Sequence, residues 1–128
     1  MGNFISTNIN KIDAINLQSF INNNNYLIIN TLCENDQHCL ISNTIKANEE
    51  VEIINKYIKS NKLINIIIYG KNSHDDKIVK KYIQLNSIGF SNLYIYMGGL
   101  FEWLLLQQVY GDEEFSTTNK CDDILKYK

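Results

Sequence analysis

The 128-residue chain contains no arginine and no proline, and it has three cysteines and one tryptophan. Without arginine, bidentate guanidinium chemistry is excluded, and any clamp on a phosphate or carboxylate must come from lysine or backbone N–H groups. Basic excess is missing too. The formal net charge is −2, which removes the electrostatic footprint of a nucleic-acid-binding protein. No apolar run approaches the length of a membrane span, and there is no secretory apolar segment. With so few cysteines and no such segment, the expectation is free thiols in a reducing, cytoplasmic setting. No repeat, linker or shift of composition divides the chain, so one domain with its own core is expected.

What is present is biased: 19 Asn, 21 Ile and 12 Lys suit a chain encoded by an A/T-rich genome. The asparagine runs therefore carry little functional weight, and "INNNNY" (21–26) reads as a turn. "DAINLQSFI" (13–21) places Ala14, Leu17 and Ile21 on one helical face, with Asp13 as the cap. "YLIINTL" (26–32) reads as a buried strand. "NEEVEIINKYIKS" (48–60) opens on acids and closes on lysines, as the helix dipole favours, with Val51, Ile54 and Ile58 as its apolar face.

"LINIIIY" (63–69) is apolar on both faces, which marks a central strand of a parallel sheet. After a polar loop, Ser73 and Asp76 have the spacing of a capping box for a helix ending at Gly89. "NLYIYM" (92–97) is the next strand, and "GG" leads into "LFEWLLLQQVY", a helix ending at Gly111. Such alternation predicts an α/β domain with right-handed crossovers.

The order of these elements, with "GFSNLYIYMGGLFEW" (89–103), resembles the closing signature of the rhodanese-like domain family. "LIINTL" resembles its first core strand, and "HCLISNTIKA" (38–47) resembles the segment before its second. The resemblance runs from about residue 9 to 110. It implies a central parallel sheet of four or five strands flanked by helices on both faces. The tail "GGLFEWLLLQQVYG…EEFSTT" resembles a eukaryotic and viral subgroup.

Active members of that family place a cysteine at the end of the central strand, in a loop of backbone N–H groups. The resemblance implies that this thiolate carries a persulfide during sulfur transfer. Here the position is Gly70, followed by Lys71, Asn72, Ser73, His74, Asp75 and Asp76. The Asp and Arg usual in the family's first core strand fall at Asn30 and Leu32. Neither Ser73 nor His74 can form a persulfide, and the related phosphatases of this fold use a Cys and an Arg that the loop lacks.

Two readings of the loop remain. Gly70 is a positive-φ turn residue, or the N–H groups of Asn72–Asp75 form a nest for a small anion. Cys33, His38 and Cys39 are too few and too crowded for a four-ligand zinc site, so no metal or cofactor is implied. They read instead as a loop thiol at Cys33 and a half-buried one at Cys39. Phe101, Trp103, Leu104 and Leu105 make the last helix apolar nearly all round. Such a helix is either sunk in the core or presents a patch to a partner. The mixed charges of 112–128 read as a solvated tail, packing on or extending from the domain.

Residues 1–8 read as a flexible N-terminus, 9–111 as the domain and 112–128 as the tail. In "MGNFIS", Gly2 followed by Ser6 fits the N-myristoylation pattern. One acyl chain anchors only marginally, and Lys11 is the sole basic residue among the first 45. Any membrane association is therefore expected to be weak and peripheral. Two functions follow as expectations: a catalytically inactive binding or regulatory module with a protein partner, or a sulfurtransferase using Cys33 or Cys39.

Overall fold

The computed structural model describes residues 9–128; Gly2 and Ser6 lie outside them. In chain order the elements are β1 (Lys11–Ile12), α1 (Ala14–Phe20), β2 (Tyr26–Asn30), β3 (Thr44–Ile45), α2 (Ala47–Ser60), β4 (Asn65–Tyr69), α3 (Lys77–Ser87), β5 (Leu93–Tyr96) and α4 (Gly99–Tyr110). Short 3-10 turns occupy Glu34–Asp36 and Ile124–Tyr127. All five strands are parallel, in the order β1-β5-β4-β2-β3.

The Ile-rich β4 sits at the centre, as its two-faced apolarity requires. Its residues alternate between two cores. Ile67 and Tyr69 face α1, α4 and the C-terminal segment, while Ile66 and Ile68 face α2 and α3. Helices therefore cover both faces of the sheet. The two-residue β1, which pairs with β5 at Ile95 and Tyr96, is too short for any periodicity to show it in sequence.

α1 is capped as expected: the Asp13 side chain accepts from the Asn16 N–H at 2.8 Å, and Asn16 returns the bond at 3.2 Å. On α2 the expected face is corrected. Ile54 is buried and Ile58 partly so, but Val51 is 71% exposed, and Tyr57 packs against that core instead. Gly89 and Gly111 end α3 and α4 with φ of 111° and 100°, in the left-handed region that favours glycine.

The segment 112–128 is not a solvated tail. Phe115 and Tyr127 are buried in the core beside Trp103. Backbone bonds from Ser42 N–H to Ser116 O (3.1 Å) and from Thr118 N–H to Leu40 O (2.8 Å) lay the segment along residues 40–42. Cys39 is fully buried and pairs with Cys121 as a disulfide, Cα atoms 5.7 Å apart, so the expectation of three free thiols is corrected to one, Cys33. Alternating charge made this segment look soluble. Its few apolar residues, Phe115, Ile124 and Tyr127, are the ones that pack.

Candidate functional site: the loop after the central strand

Strand β4 ends at Tyr69, whose hydroxyl is buried and engaged. It accepts from Ile41 N–H at 3.1 Å and bonds the Thr44 hydroxyl at 2.9 Å. The chain then turns at the buried Gly70 toward α3. Two bonds fix this turn from the side of α4: Leu100 N–H donates to Gly70 O at 2.9 Å and Phe101 N–H to Lys71 O at 3.0 Å. The first N–H groups of α4, which lack partners inside their own helix, are thus satisfied by the loop. The close approach explains the second glycine of the "GG" pair. Gly99 has φ 69°, and a Cβ there would come within 2.8 Å of both Asn72 N and Gly70 O.

Gly70 is a glycine for a different reason from the one expected. Its φ is not positive. A Cβ at this position would instead run into the carboxylate of Asp75, whose Cγ would lie 2.8 Å away, and would meet Thr31 Oγ1 at 2.8 Å. The side-chain space at the end of the central strand is already filled. Asp75 holds its place through three donors. Its Oδ2 accepts from the Thr31 hydroxyl at 2.9 Å and from Lys71 N–H at 3.1 Å, and its Oδ1 accepts from Lys77 N–H at 3.0 Å. Asp75 therefore caps α3, and the expected Ser73–Asp76 capping box is corrected, since Asp76 makes no side-chain cap bond.

The expected anion nest is also largely closed. His74 N–H donates to Asn72 Oδ1 at 2.9 Å, and Asp75 N–H to Asn72 O at 3.3 Å. Ser73 Oγ and His74 Nδ1 bond each other at 3.2 Å. The Asn72 side chain donates to Tyr127 O at 3.0 Å, tying the loop to the C-terminal segment. An anion of the protein's own already sits at this helix N-terminus.

Beside the loop lies a cleft of about 360 Å³, walled by Thr31, Cys33, Lys71, His74, Asp75 and Lys77. Cys33 is exposed there, with its Sγ 3.8 Å from Lys77 Nζ. Cys39 is not in the cleft. His38 is exposed, its carbonyl accepting from Asn119, and no group of acids, histidines and cysteines among the described residues is arranged to hold a metal. At the first core strand, Asn30 is buried and fully partnered. It exchanges two bonds with Gln37 (3.1 and 2.8 Å), donates to Ile45 O and accepts from Leu32 N–H. A neutral amide pair closes this corner without any charge.

Of the helix residues weighed as a partner surface, Trp103 and Leu104 are core. Trp103 is fully buried, donates Nε1–H to Ser116 O at 3.0 Å and meets Phe115 edge-on at 5.1 Å. Phe101 is partly buried, and Leu105 is 44% exposed. Nothing local in the sequence marks Thr31, Gln37 or Tyr127 as part of the site. They reach it only through strand pairing and the return of the tail.

No protein-family model matches the chain, and no curated protein matches its sequence. Solved structures do resemble it. A protein of Bacillus halodurans superposes with a TM-score of 0.63 at 18% identity, covering 82% of this chain and 78% of that one. A yeast protein tyrosine phosphatase of the rhodanese family gives 0.61 at 16% identity, over 89% of this chain and 94% of its own. The rhodanese-like domain of an Anabaena protein gives 0.57 at 21%, over 88% and 87%. A five-stranded parallel sheet with helices on both faces, shared with these structures over most of both chains, gives this protein the rhodanese-like α/β fold.

Proposed function

We propose that this protein is a rhodanese-like module without sulfurtransferase activity, acting by binding a protein partner. One observation carries the reading: at the end of the central strand the Asp75 carboxylate fills the space that a nucleophilic side chain on residue 70 would need. A thiolate there would face a fixed negative charge, in a chain with no arginine to offset it. The likeness of the tail to a eukaryotic and viral subgroup of such domains belongs to the same proposal. So does acylation of Gly2, which gives a weak, reversible membrane contact and is tested by the intact mass of protein made in eukaryotic cells against Gly2→Ala. Among the described residues no helix is long and apolar enough to cross a membrane.

A second reading rests on Cys33, the one free thiol, exposed in the cleft beside the Lys77 ammonium. Its thiolate would attack the outer sulfur of thiosulfate, forming a persulfide and releasing sulfite. Cyanide would then take that sulfur as thiocyanate and return the thiolate. Cys39 is no longer a candidate, being buried and disulfide-bonded. Thiosulfate:cyanide transfer, measured before and after thiol alkylation and in Cys33→Ser, separates the readings. The module reading expects background rates throughout; turnover abolished by alkylation and by Cys33→Ser would establish the enzyme.

A further inference from the structure

We infer that the groove between α1 and α4 is a docking site for a lysine- or arginine-bearing amphipathic helix of a partner protein. This inference rests on the binding-module reading and names its surface. The groove, about 720 Å³, has a floor of Ala14, Leu106 and Phe115. Ile15 and Tyr110 line it and are 61% and 63% exposed, so the apolar surface extends outward beyond what a small ligand would cover. Asp13, Glu102 and Glu114 line the same groove. Each carboxylate has one internal partner, respectively Asn16 N–H, the Tyr96 hydroxyl and the Gln18 amide, and retains acceptor capacity for a partner's cation.

Charge identifies the occupant. No lysine lies between Lys11 and Lys46 or between Lys81 and Lys120, and there is no arginine, so neither helix of the groove carries a cation. The lysines of the helices sit instead on α2 and α3, on the opposite face of the sheet. An acid-lined apolar groove with no cation of its own complements a helix whose apolar stripe is flanked by positive charge. At 12 residues, α4 offers about 18 Å of wall, matching about three turns of such a helix. A second copy presenting its lysine-rich α3 is the less suitable occupant. That contact is head-to-tail, does not close, and would build open fibres.

The test uses the full chain and a synthetic amphipathic peptide of about 18 residues. Its apolar stripe is Leu and Phe and its flanks are Lys; a control peptide carries Glu in place of every Lys. Fluorescence anisotropy is expected to show saturable binding of the Lys peptide, about tenfold or more tighter than the Glu peptide, weakening as salt is raised. Ile15→Lys and Glu114→Lys, both at exposed positions, should each weaken binding about tenfold, with circular dichroism unchanged. Equal binding of both peptides, no binding, binding untouched by either variant, or concentration-dependent self-association abolished by Ile15→Lys would each overturn the assignment. Thiosulfate:cyanide transfer is measured on the same samples. A failed titration with background transfer removes this surface alone, whereas alkylation-sensitive turnover removes the reading beneath it.

Discussion

Gly70 and Asp75 are two halves of one feature, and their coupling can be measured. Gly70→Ala forces the Asp75 carboxylate from its three donors, an expected cost of about 1–3 kcal/mol. In an Asp75→Ala background the same change should cost markedly less, because the carboxylate no longer crowds the new methyl. Additive effects in chemical denaturation would mean that the carboxylate does not hold that space. For the same reason Gly70→Cys is expected to show no thiosulfate:cyanide transfer, since the thiol enters a site lined by a carboxylate. Robust turnover in that single variant would show the loop to be functional. The absence of the nucleophile was readable from Gly70 and the missing arginine. What replaces it was not, because Asp75 reaches Gly70 through a backbone path that spacing does not encode. Trp103 is simpler: a fully buried indole held by Ser116 and Phe115, so Trp103→Ala is expected to cost about 3–5 kcal/mol.

At the scale of elements, the Ile-rich β4, the capped α1 and the glycine-ended α3 and α4 were legible because each carries its own periodicity and terminators. β1 and the C-terminal segment were not, since two residues hold no pattern and the segment's packing is entirely long-range. Its anchor is the Cys39–Cys121 disulfide, separated by 82 positions. Closing so long a loop constrains the unfolded chain, and its loss is expected to lower stability by about 2–4 kcal/mol. Urea titrations of the wild type with and without reductant should differ by that amount, and Cys121→Ser should be insensitive to reductant. Equal midpoints for the reduced and oxidised wild type would show that the hydrogen bonds of Ser116 and Thr118, with Phe115 and Tyr127, hold the segment unaided. The disulfide also bears on the setting expected from cysteine usage: a bonded pair brought together by the tail, Cys39 buried and Cys121 partly so, does not fit the three free thiols inferred from the count.

Across the whole molecule, buried tyrosines close the sheet at the C-terminal ends of β4 and β5, and they contribute to its response to alkali. Burial pushes the Tyr69 phenol well above the ordinary tyrosine range, outweighing the bonds to Thr44 and Ile41 that favour ionisation. Tyr96 is raised by burial and then by donating to the Glu102 carboxylate at 2.6 Å, which also opposes a second negative charge beside it. In the unfolded chain both phenols titrate near the ordinary tyrosine value of 10.0. Above that pH the unfolded state loses protons that the folded state keeps, so the native state binds more protons and stability falls as pH rises. The stabilisation is complete below about pH 10 and is lost progressively above it, by up to about 1.4 kcal/mol per pH unit for each phenol. Lysine deprotonation acts over the same range, so the tyrosine share is isolated by difference. Tyr96→Phe should unfold with a shallower loss between about pH 10 and 11 than the wild type. Tyr69→Phe should do the same, though it starts lower for want of a partner to Ile41 N–H. In the wild type, tyrosinate absorbance from Tyr69 and Tyr96 should appear only with unfolding. Parallel stability curves for all three proteins would mean that these hydroxyls ionise without opening the fold.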